Sequence, residues 1–380
     1  MVSPDAPVKA PGLKGVIAVD SDLTFIDGQN GDLVYRGYSI GDLAEQAAYE
    51  EVVFLLWNGH LPTQDELDAF SADLRAAREL PDAVLDLLAT IPAEAHPMAV
   101  LRTAVSALGL YDDEADAMTP EANARKATRA LAQLPSIIAA FARIRDGKDP
   151  IAPLDDHSMA YNFLYMLNGE APGEAAERIF NTCLVLHADH GLSASTFTGR
   201  VIGSTLSDLY SALTGSIGAL KGPLHGGANR EVMRMLLDID NSDEDAVAYV
   251  KDILEQGERI MGFGHRVYKT MDPRAAILRG MVEDLSEEKG DMRWYNYSMA
   301  ILKTVKNEKG LDPNVDFFSA STYYQLGLDP DLFTPIFALS RTAGWCANLL
   351  EQWSDNRLIR PRAQYVGPAN RTFVPIAERS

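Results

Sequence analysis

The run Gly222-Pro223-Leu224-His225-Gly226-Gly227-Ala228-Asn229 places a proline and three glycines around one histidine. Such a composition is typical of a backbone that turns sharply or lets a ligand approach closely. The apolar spacing of residues 231–237 predicts a helix directly after it, with Asn229 as the N-cap. A helix N-terminus disfavours a protonated imidazole, so a neutral His225 could donate a hydrogen bond to a developing oxyanion. A histidine that merely satisfies its hydrogen bonds beside a tight turn is the alternative.

The composition describes an acidic chain of ordinary globular character. Its 380 residues carry a formal net charge of -20, and 47% are hydrophobic and 23% charged. This length predicts two domains, or one large domain with a satellite. The acidity argues against a nucleic-acid binder, whose contact face is basic. It also requires that any anionic substrate be held by a local cluster of arginines.

The cysteines and the N-terminal residues indicate the cellular compartment of the protein. Cys183 and Cys346 are the only cysteines, and their apolar surroundings predict buried, reduced thiols. Residues 1–14 lack the apolar run of a signal peptide, and no window reaches the length of a membrane span. We therefore expect a cytoplasmic protein that makes no membrane contact.

The pattern of apolar residues predicts a mainly α-helical chain with one small sheet. Runs of β-branched and aromatic residues at 16–19, 24–27 and 33–35 predict a small N-terminal β-meander. After Ile40 the apolar spacing becomes helical, with Pro and Gly as punctuation and a long helical stretch over residues 122–144. Strands and helices do not alternate, which argues against a doubly wound nucleotide-binding fold.

Two histidines lie three residues apart at the end of a helix predicted over residues 175–189. On one helical face, His187 and His190 could bind a metal ion with a further ligand, or line a cleft as hydrogen-bonding groups. No motif of the HExxH kind accompanies them, so we favour the cleft and expect no metal site. Small residues dominate the stretch 193–222, which fits either a tightly packed internal helix or a homodimer interface.

A second histidine is bracketed by glycines in Gly262-Phe263-Gly264-His265-Arg266, after a helix predicted to start at residues 241–244. This Gly-x-Gly lacks the preceding strand and the third glycine of a dinucleotide fingerprint. It indicates instead a close approach of the backbone to a ligand. Arg274 follows near enough to reach the same cleft.

Three further residues carry charge in unusual settings. Asp316 lies between two apolar residues and is either a helix N-cap or, in a dry pocket, a carboxylate basic enough to abstract a proton. Arg341 interrupts a long apolar helix predicted over residues 332–351, where a guanidinium is either paired or functional. Arg360 and Arg362 follow in a loop. Arginines that lie close together can bind carboxylates, because each guanidinium offers paired N–H donors.

Taken together, these motifs resemble the citrate synthase family over nearly the whole chain. The segments that carry the resemblance are residues 27–40, 186–190, 222–229, 262–274, 313–316, 340–345 and 360–362. The chain is similar to the shorter, dimeric members rather than to the longer, NADH-regulated bacterial ones. The resemblance implies a large helical domain formed by residues 1–228 and 320–380, and a small helical domain formed by residues 229–319.

The resemblance also implies roles for single residues. A carboxylate is a weak base for a thioester methyl group, so the site must stabilise the enolate as it forms. Asp316 matches the family's base, His225 the residue that hydrogen-bonds the thioester oxygen, and His265 the residue that polarises the ketone of oxaloacetate. The residues matching oxaloacetate ligands are His190, Arg274, Arg341 and Arg360, the last from the partner subunit of a homodimer. Coenzyme A is expected along Gly262, Gly264 and Asn314, with Lys306 or Lys309 near its phosphates.

The implied enzyme is an acyltransferase of the tricarboxylic acid cycle. It condenses acetyl-CoA, a co-substrate, with oxaloacetate to give citrate and CoA, and it needs no permanently bound cofactor. After His190 the chain reads Gly191-Leu192-Ser193, where many relatives carry Glu and a nearby Asn. Because of this departure, 2-methylcitrate synthase, which acts on propionyl-CoA, stays an alternative. Propionyl-CoA has one methylene more than acetyl-CoA, and an enzyme discriminates against one methylene by only about 1–3 kcal/mol. A non-catalytic dicarboxylate sensor is the remaining alternative.

Overall fold

The computed structural model describes residues 10–242 and 245–379. Sixteen α-helices lie in this part of the chain. They are α1 (Ile40–Gln46), α2 (Tyr49–Asn58), α3 (Gln64–Ala76), α4 (Asp82–Thr90), α5 (Pro97–Leu108), α6 (Pro120–Arg145), α7 (Met159–Asn168), α8 (Glu174–His187), α9 (Ala194–Gly203), α10 (Leu209–Leu220), α11 (Ala228–Asp240), α12 (Ala246–Glu255), α13 (Pro273–Lys289), α14 (Arg293–Lys309), α15 (Val315–Gln325) and α16 (Phe333–Ser354). None of the helices in these residues is long and apolar enough to cross a membrane.

One antiparallel sheet precedes the helices, with the strands β1 (Thr24–Asp27), β2 (Asp32–Tyr35) and β3 (Tyr38–Ser39) in that order. The strand predicted at residues 16–19 is wrong, because that segment pairs with no other strand among the described residues. The third strand is β3 instead. Arg36 and Gly37 both have positive φ, 48° and 92°, which turns the chain back tightly onto β2.

Helix α16 is the central element of the core. Its side chains are buried on all sides from Phe333 to Leu349, and it packs against α2, α5, α6, α8, α9 and α10. A helix that is apolar all round is stable only in such an interior. This position carries the guanidinium of Arg341 into the protein, where its exposed fraction is only 1%.

The helices α11 to α15 pack mainly on one another. Helix α15 contacts α11 and α13, and α12 contacts α14. Their contacts with the rest of the chain include α1, α8, α16 and the helical turn Pro330–Leu332. Residues 229–319, which the family resemblance implies as a small domain, lie within this region.

The stretch rich in small residues forms the two helices α9 and α10, which pack against each other. A Cβ on Gly199 would lie 2.5 Å from Ser216 Oγ, and one on Gly215 would lie 2.2 Å from Ile202 Cδ1. The glycines therefore permit close internal packing, as one of the two interpretations predicts. The homodimer interpretation stays a prediction.

Three helix boundaries differ from their predictions. Helix α8 ends at His187, so His190 lies beyond it and does not share a helical face with His187. Helix α11 starts after Gly227, which caps it without a side chain, so Asn229 is inside the helix and is not the N-cap. The N-cap of α12 is Asp245, because its carboxylate accepts hydrogen bonds from two backbone N–H groups, while residues 243 and 244 lie outside the described residues.

Candidate active site

A cleft with a volume of about 1660 Å³ brings together most of the predicted site residues. Nine of the eleven line it: His190, His225, Gly262, Gly264, His265, Arg274, Asn314, Asp316 and Arg341. They come from separate segments of the chain: some lie at helix starts, others lie in the loops between helices, and Arg341 lies within α16. The cleft therefore depends on the tertiary fold as a whole.

His225 lies in a turn that only glycine can complete. A Cβ on Gly226 would lie 2.3 Å from the Leu220 carbonyl oxygen. The Nε2 atom of His225 accepts a hydrogen bond from the Ser195 backbone N–H at 3.2 Å. The proton of the neutral ring is therefore on Nδ1, which can donate. Burial and the charge of Arg341 lower the pKa of His225 to about 4, so the ring is neutral near pH 7.

His265 has the opposite tautomer. Its Nδ1 atom accepts hydrogen bonds from the backbone N–H groups of Val267 at 3.0 Å and Tyr268 at 3.1 Å. The proton of the neutral ring is therefore on Nε2. Burial and the charge of Arg274 lower the pKa of His265 to about 4, although Asp272 partly opposes them. Two neutral imidazoles thus enter the cleft as hydrogen-bond donors.

His190 lies beside His265, with 5.3 Å between the ring centroids. Its Nε2 atom is 3.2 Å from the hydroxyl oxygen of Tyr268, a buried residue. Burial and the charges of Arg274 and Arg341 hold the pKa of His190 well below its usual value. Nothing in the sequence pattern had singled out Tyr268 or Ser195, because each contacts its histidine through the folded chain.

Asp316 is the second residue of α15, and the N-cap of that helix is Asn314. The Asn314 Oδ1 atom accepts from the Asp316 backbone N–H at 3.0 Å, and its Nδ2 donates to the Gly264 carbonyl at 2.9 Å. The interpretation of Asp316 as the N-cap is therefore wrong. Burial raises the pKa of its carboxyl to about 6, opposed by Arg274 and Arg341.

The Gly-x-Gly segment packs against the start of α15. Gly264 N–H donates to the Asp312 carbonyl and Asn314 N–H to the Gly262 carbonyl, both at 2.9 Å. Gly262 has a φ of +82°, and a Cβ there would lie 2.8 Å from Val232 and 2.9 Å from Phe317. This pairing fixes the positions of Asp316 and His265 relative to each other.

Arg274 is buried and held by a carboxylate. Its Nε and Nη2 atoms donate to Asp272 at 3.0 and 2.7 Å. The second oxygen of Asp272 also accepts from the Val315 backbone N–H at 3.3 Å, which joins the starts of α13 and α15. The pKa of Asp272 is lowered, because the attraction of Arg274 outweighs the desolvation of the carboxylate.

Arg341 lacks such a partner on its own helix. Its Nε donates to the His187 carbonyl at 2.7 Å, and its guanidinium lies 4.7 Å from the Phe337 ring centroid. Burial lowers its pKa, opposed by the buried Asp189. Arg341 and Arg274 thus bring two guanidinium groups to one cleft inside an acidic protein.

Two predicted residues lie away from the cleft lining. Lys306 Nζ donates to both carboxylate oxygens of Asp312, at 2.7 and 2.8 Å. Lys309 lines the cleft instead. Arg360 is exposed in the extended segment that follows α16.

His187 is buried, and its Nδ1 donates to the Cys183 carbonyl at 2.8 Å. The described residues contain no group of three or more His, Cys, Asp or Glu side chains placed to hold a metal ion. The histidine pair therefore gives no support to the metal-site alternative.

Comparison with known proteins places this cleft in a family context. A family model described as "Citrate synthase, C-terminal domain" matches residues 12–362. The chain is 56% identical to the citrate synthase of Haloferax volcanii over 372 residues, 97% of this chain and 98% of that one. It is 44% identical to the citrate/2-methylcitrate synthase of Bacillus subtilis over 365 residues, 96% of this chain and 98% of that one.

A solved structure gives the same result. It is the ternary complex of citrate synthase from the thermophilic archaeon Thermoplasma acidophilum with carboxymethyl coenzyme A and oxaloacetate. The TM-score is 0.91 at 36% identity, and the match covers 97% of this chain and 99% of that chain. The mainly α-helical class with a small N-terminal sheet is confirmed. The chain belongs to the citrate synthase family of acyltransferases, which make citrate.

Proposed function

We propose that the chain condenses acetyl-CoA with oxaloacetate and hydrolyses the resulting thioester to citrate and CoA. The observation that carries this proposal is a carboxyl of raised pKa in one cleft with two neutral imidazoles of opposite tautomer. Acetyl-CoA serves as a co-substrate, and the reaction needs no permanently bound cofactor.

In the first step, the Asp316 carboxylate removes a proton from the acetyl methyl group. A carboxyl with a pKa of about 6 is a stronger base than an ordinary aspartate and is still ionised at pH 7. As the enolate forms, negative charge develops on the thioester oxygen, and His225 Nδ1–H donates to it. A neutral donor suits this role, because it stabilises the charge without a prior proton transfer.

In the second step, the enolate carbon attacks the ketone carbon of oxaloacetate. His265 Nε2–H donates to the ketone oxygen as it becomes an alkoxide. Arg274 and Arg341 bind the substrate's two carboxylates, and His190 adds a further hydrogen bond. Water then hydrolyses the thioester and releases CoA. Concentrated positive charge explains how a chain of net charge -20 can bind a dianion.

The phosphates of coenzyme A would bind at the mouth of the cleft. The exposed part of the cleft lining contains one carboxylate, that of Glu258, and four cationic side chains: Lys14, Arg259, Arg266 and Lys309. Lys306 is neutralised by Asp312, so Lys309 is the better candidate of the two lysines. Gly262, Gly264 and Asn314 remain the proposed backbone contacts of the cofactor's pantetheine arm.

A homodimer completes the proposal. The segment after α16 exposes large apolar side chains that one chain leaves uncovered, among them Tyr365, Val366 and Phe373 at 74%, 84% and 80% exposure. Several large apolar side chains exposed along one segment favour a role in an interface. We propose that it docks on a second copy and carries Arg360 to the partner's oxaloacetate site.

Closure of the cleft would assemble the site. In the proposed division, the small domain of residues 229–319 supplies His265, Arg274 and Asp316, while the rest supplies His190, His225 and Arg341. Closing one on the other would also exclude water before the enolate forms. We further propose a cytoplasmic location, which the two buried, unpaired cysteines support.

The test is thiol release from acetyl-CoA with oxaloacetate, with citrate identified as the product. The same assay with propionyl-CoA compares kcat/KM for the two acyl groups, and we expect acetyl-CoA to be preferred. A preference for propionyl-CoA would favour 2-methylcitrate synthase, a name that the Bacillus subtilis relative also carries. Folded protein that binds oxaloacetate but releases no thiol from either substrate would favour the sensor.

A further inference from the structure

The turn between β1 and β2 packs against the loop that carries His265. Gly28 lies so close to it that a Cβ there would stand 2.3 Å from the Val267 carbonyl oxygen. The Gly28 carbonyl also accepts a hydrogen bond from the Lys269 N–H at 2.7 Å. A Cβ on Gly31 would lie 2.9 Å from Thr270 Cγ2. Residues 28–31 are therefore in direct contact with residues 267–271.

The turn itself is held firmly. Asp27 Oδ1 accepts from the backbone N–H groups of Gln29 at 2.8 Å and Asn30 at 3.1 Å. Asn30 Nδ2 donates back to the second oxygen of Asp27 at 2.9 Å. Gly31 N–H donates to the Asp27 carbonyl at 2.8 Å. The contact surface is thus a closed turn with few remaining degrees of freedom.

Val267 connects this turn to the imidazole. Its carbonyl faces Gly28, and its N–H donates to His265 Nδ1 at 3.0 Å. The Val267 carbonyl lies in the same rigid peptide group as the Tyr268 N–H, which donates to His265 Nδ1 at 3.1 Å, so a displacement of that carbonyl also moves an N–H that orients the ring. We propose that residues 28–31 position His265 through Val267, and that Gly28 is the residue whose missing side chain permits the contact.

This inference rests on the proposed function and adds positioning residues to it. The groups that face His265 are Arg274 and Asp272 at the start of α13, His190 after α8, and Lys269 and Tyr268 on its own loop. A substitution at Gly28 removes none of these side chains. The two N–H bonds to Nδ1 stabilise the neutral ring, so weakening them raises the pKa of His265.

The experiment compares Gly28→Ala with Gly173→Ala. Neither glycine has positive φ, but a Cβ at position 173 meets nothing within 4 Å, and Gly173 is an exposed N-cap of α8. We expect Gly28→Ala to keep the parent's circular dichroism and to lower kcat by about 10²-fold, as misplacement by a fraction of an ångström to 1 Å can do. The midpoint of the His265 imidazole titration, followed by NMR, should move to higher pH. Gly173→Ala should match the parent.

A second variant covers the case in which Gly28→Ala does not fold. Asp27→Ala loosens the exposed turn without adding atoms, and we expect a smaller fall in kcat with the same direction of pH shift. If the folded variants keep the parent's kcat and His265 titration midpoint, the inference is overturned. If the parent itself releases no thiol, the proposed function fails instead, which separates the two outcomes.

Discussion

Replacing Asp316 by Asn should weaken catalysis and strengthen the fold at the same time. The carboxylate is the proposed base, and removing a general base costs about 10²–10⁴-fold in rate. Its pKa rises from an ordinary 3.8 to about 6, chiefly because the site removes it from water. A shift of this size corresponds to a penalty of about 3 kcal/mol in the free energy of unfolding once the group is ionised.

The sign of the pH dependence follows from the direction of that shift. The folded state holds the proton more tightly than the unfolded state, so ionisation lowers the free energy of unfolding as pH rises from about 4 to about 6. Above pH 6 the whole penalty applies. The Asn variant also loses a favourable interaction of the carboxylate with the N-terminus of α15, worth about 0.3–1 kcal/mol. We therefore expect a net gain of about 2 kcal/mol at pH 8.

Two assays check this prediction. Thiol release gives kcat, and thermal unfolding at pH 8 and pH 4.5 gives the change in stability. Asp65→Asn is the matched control, because Asp65 is also the second residue of a helix, α3, but is exposed. It should leave kcat unchanged and give no gain in stability at pH 8. A turnover within tenfold of the parent, or equal changes in midpoint at the two pH values, would refute the reasoning for Asp316.

The remaining predictions address other parts of the site. At saturating oxaloacetate, kcat/KM for acetyl-CoA should decrease as the pH falls, with a single midpoint near pH 6. Asp316 becomes protonated there, whereas the two imidazoles stay neutral down to about pH 4. A profile that is flat down to pH 4 would contradict this. Lys309→Ala should raise the KM for acetyl-CoA, whereas Lys306→Ala, whose lysine is paired, should not. Arg341→Lys should raise the KM for oxaloacetate by about 10–100-fold, since a lysine ammonium cannot replace the paired N–H donors that a guanidinium offers to a carboxylate. Truncation after residue 354 should yield monomers by light scattering, and an intact dimer would count against the proposed role of the arm.

The sequence predicts the long periodic elements well and the tertiary contacts poorly. Helix α16 is recognisable because its apolar run is long and Arg341 stands out within it. The prediction of a strand at residues 16–19 is wrong because β-propensity alone does not form a strand where no partner strand is available. The predictions of Asn229 and Asp316 as N-caps are both wrong, because the residue two positions earlier, Gly227 or Asn314, has that role.

For the candidate site, too, the sequence predicts which residues take part but not the tertiary contacts that they make. The identity of the charged residues can be read from their unusual local settings, but their protonation states cannot. Ser195 fixes the tautomer of His225 from thirty positions away, and the Gly28 turn reaches the His265 loop across most of the chain. Lys306 is a plausible phosphate ligand until the structure shows Asp312 bound to it.

Enolisation of acetyl-CoA is the step at which the proposed roles of Asp316 and His225 meet. It can be isolated by incubating the enzyme in D₂O with acetyl-CoA and a dicarboxylate that fills the oxaloacetate site but has no ketone to attack. The parent should exchange deuterium into the acetyl methyl group, as followed by NMR, and Asp316→Asn should exchange no faster than the enzyme-free background. Undiminished exchange by that variant would contradict the assignment of the base.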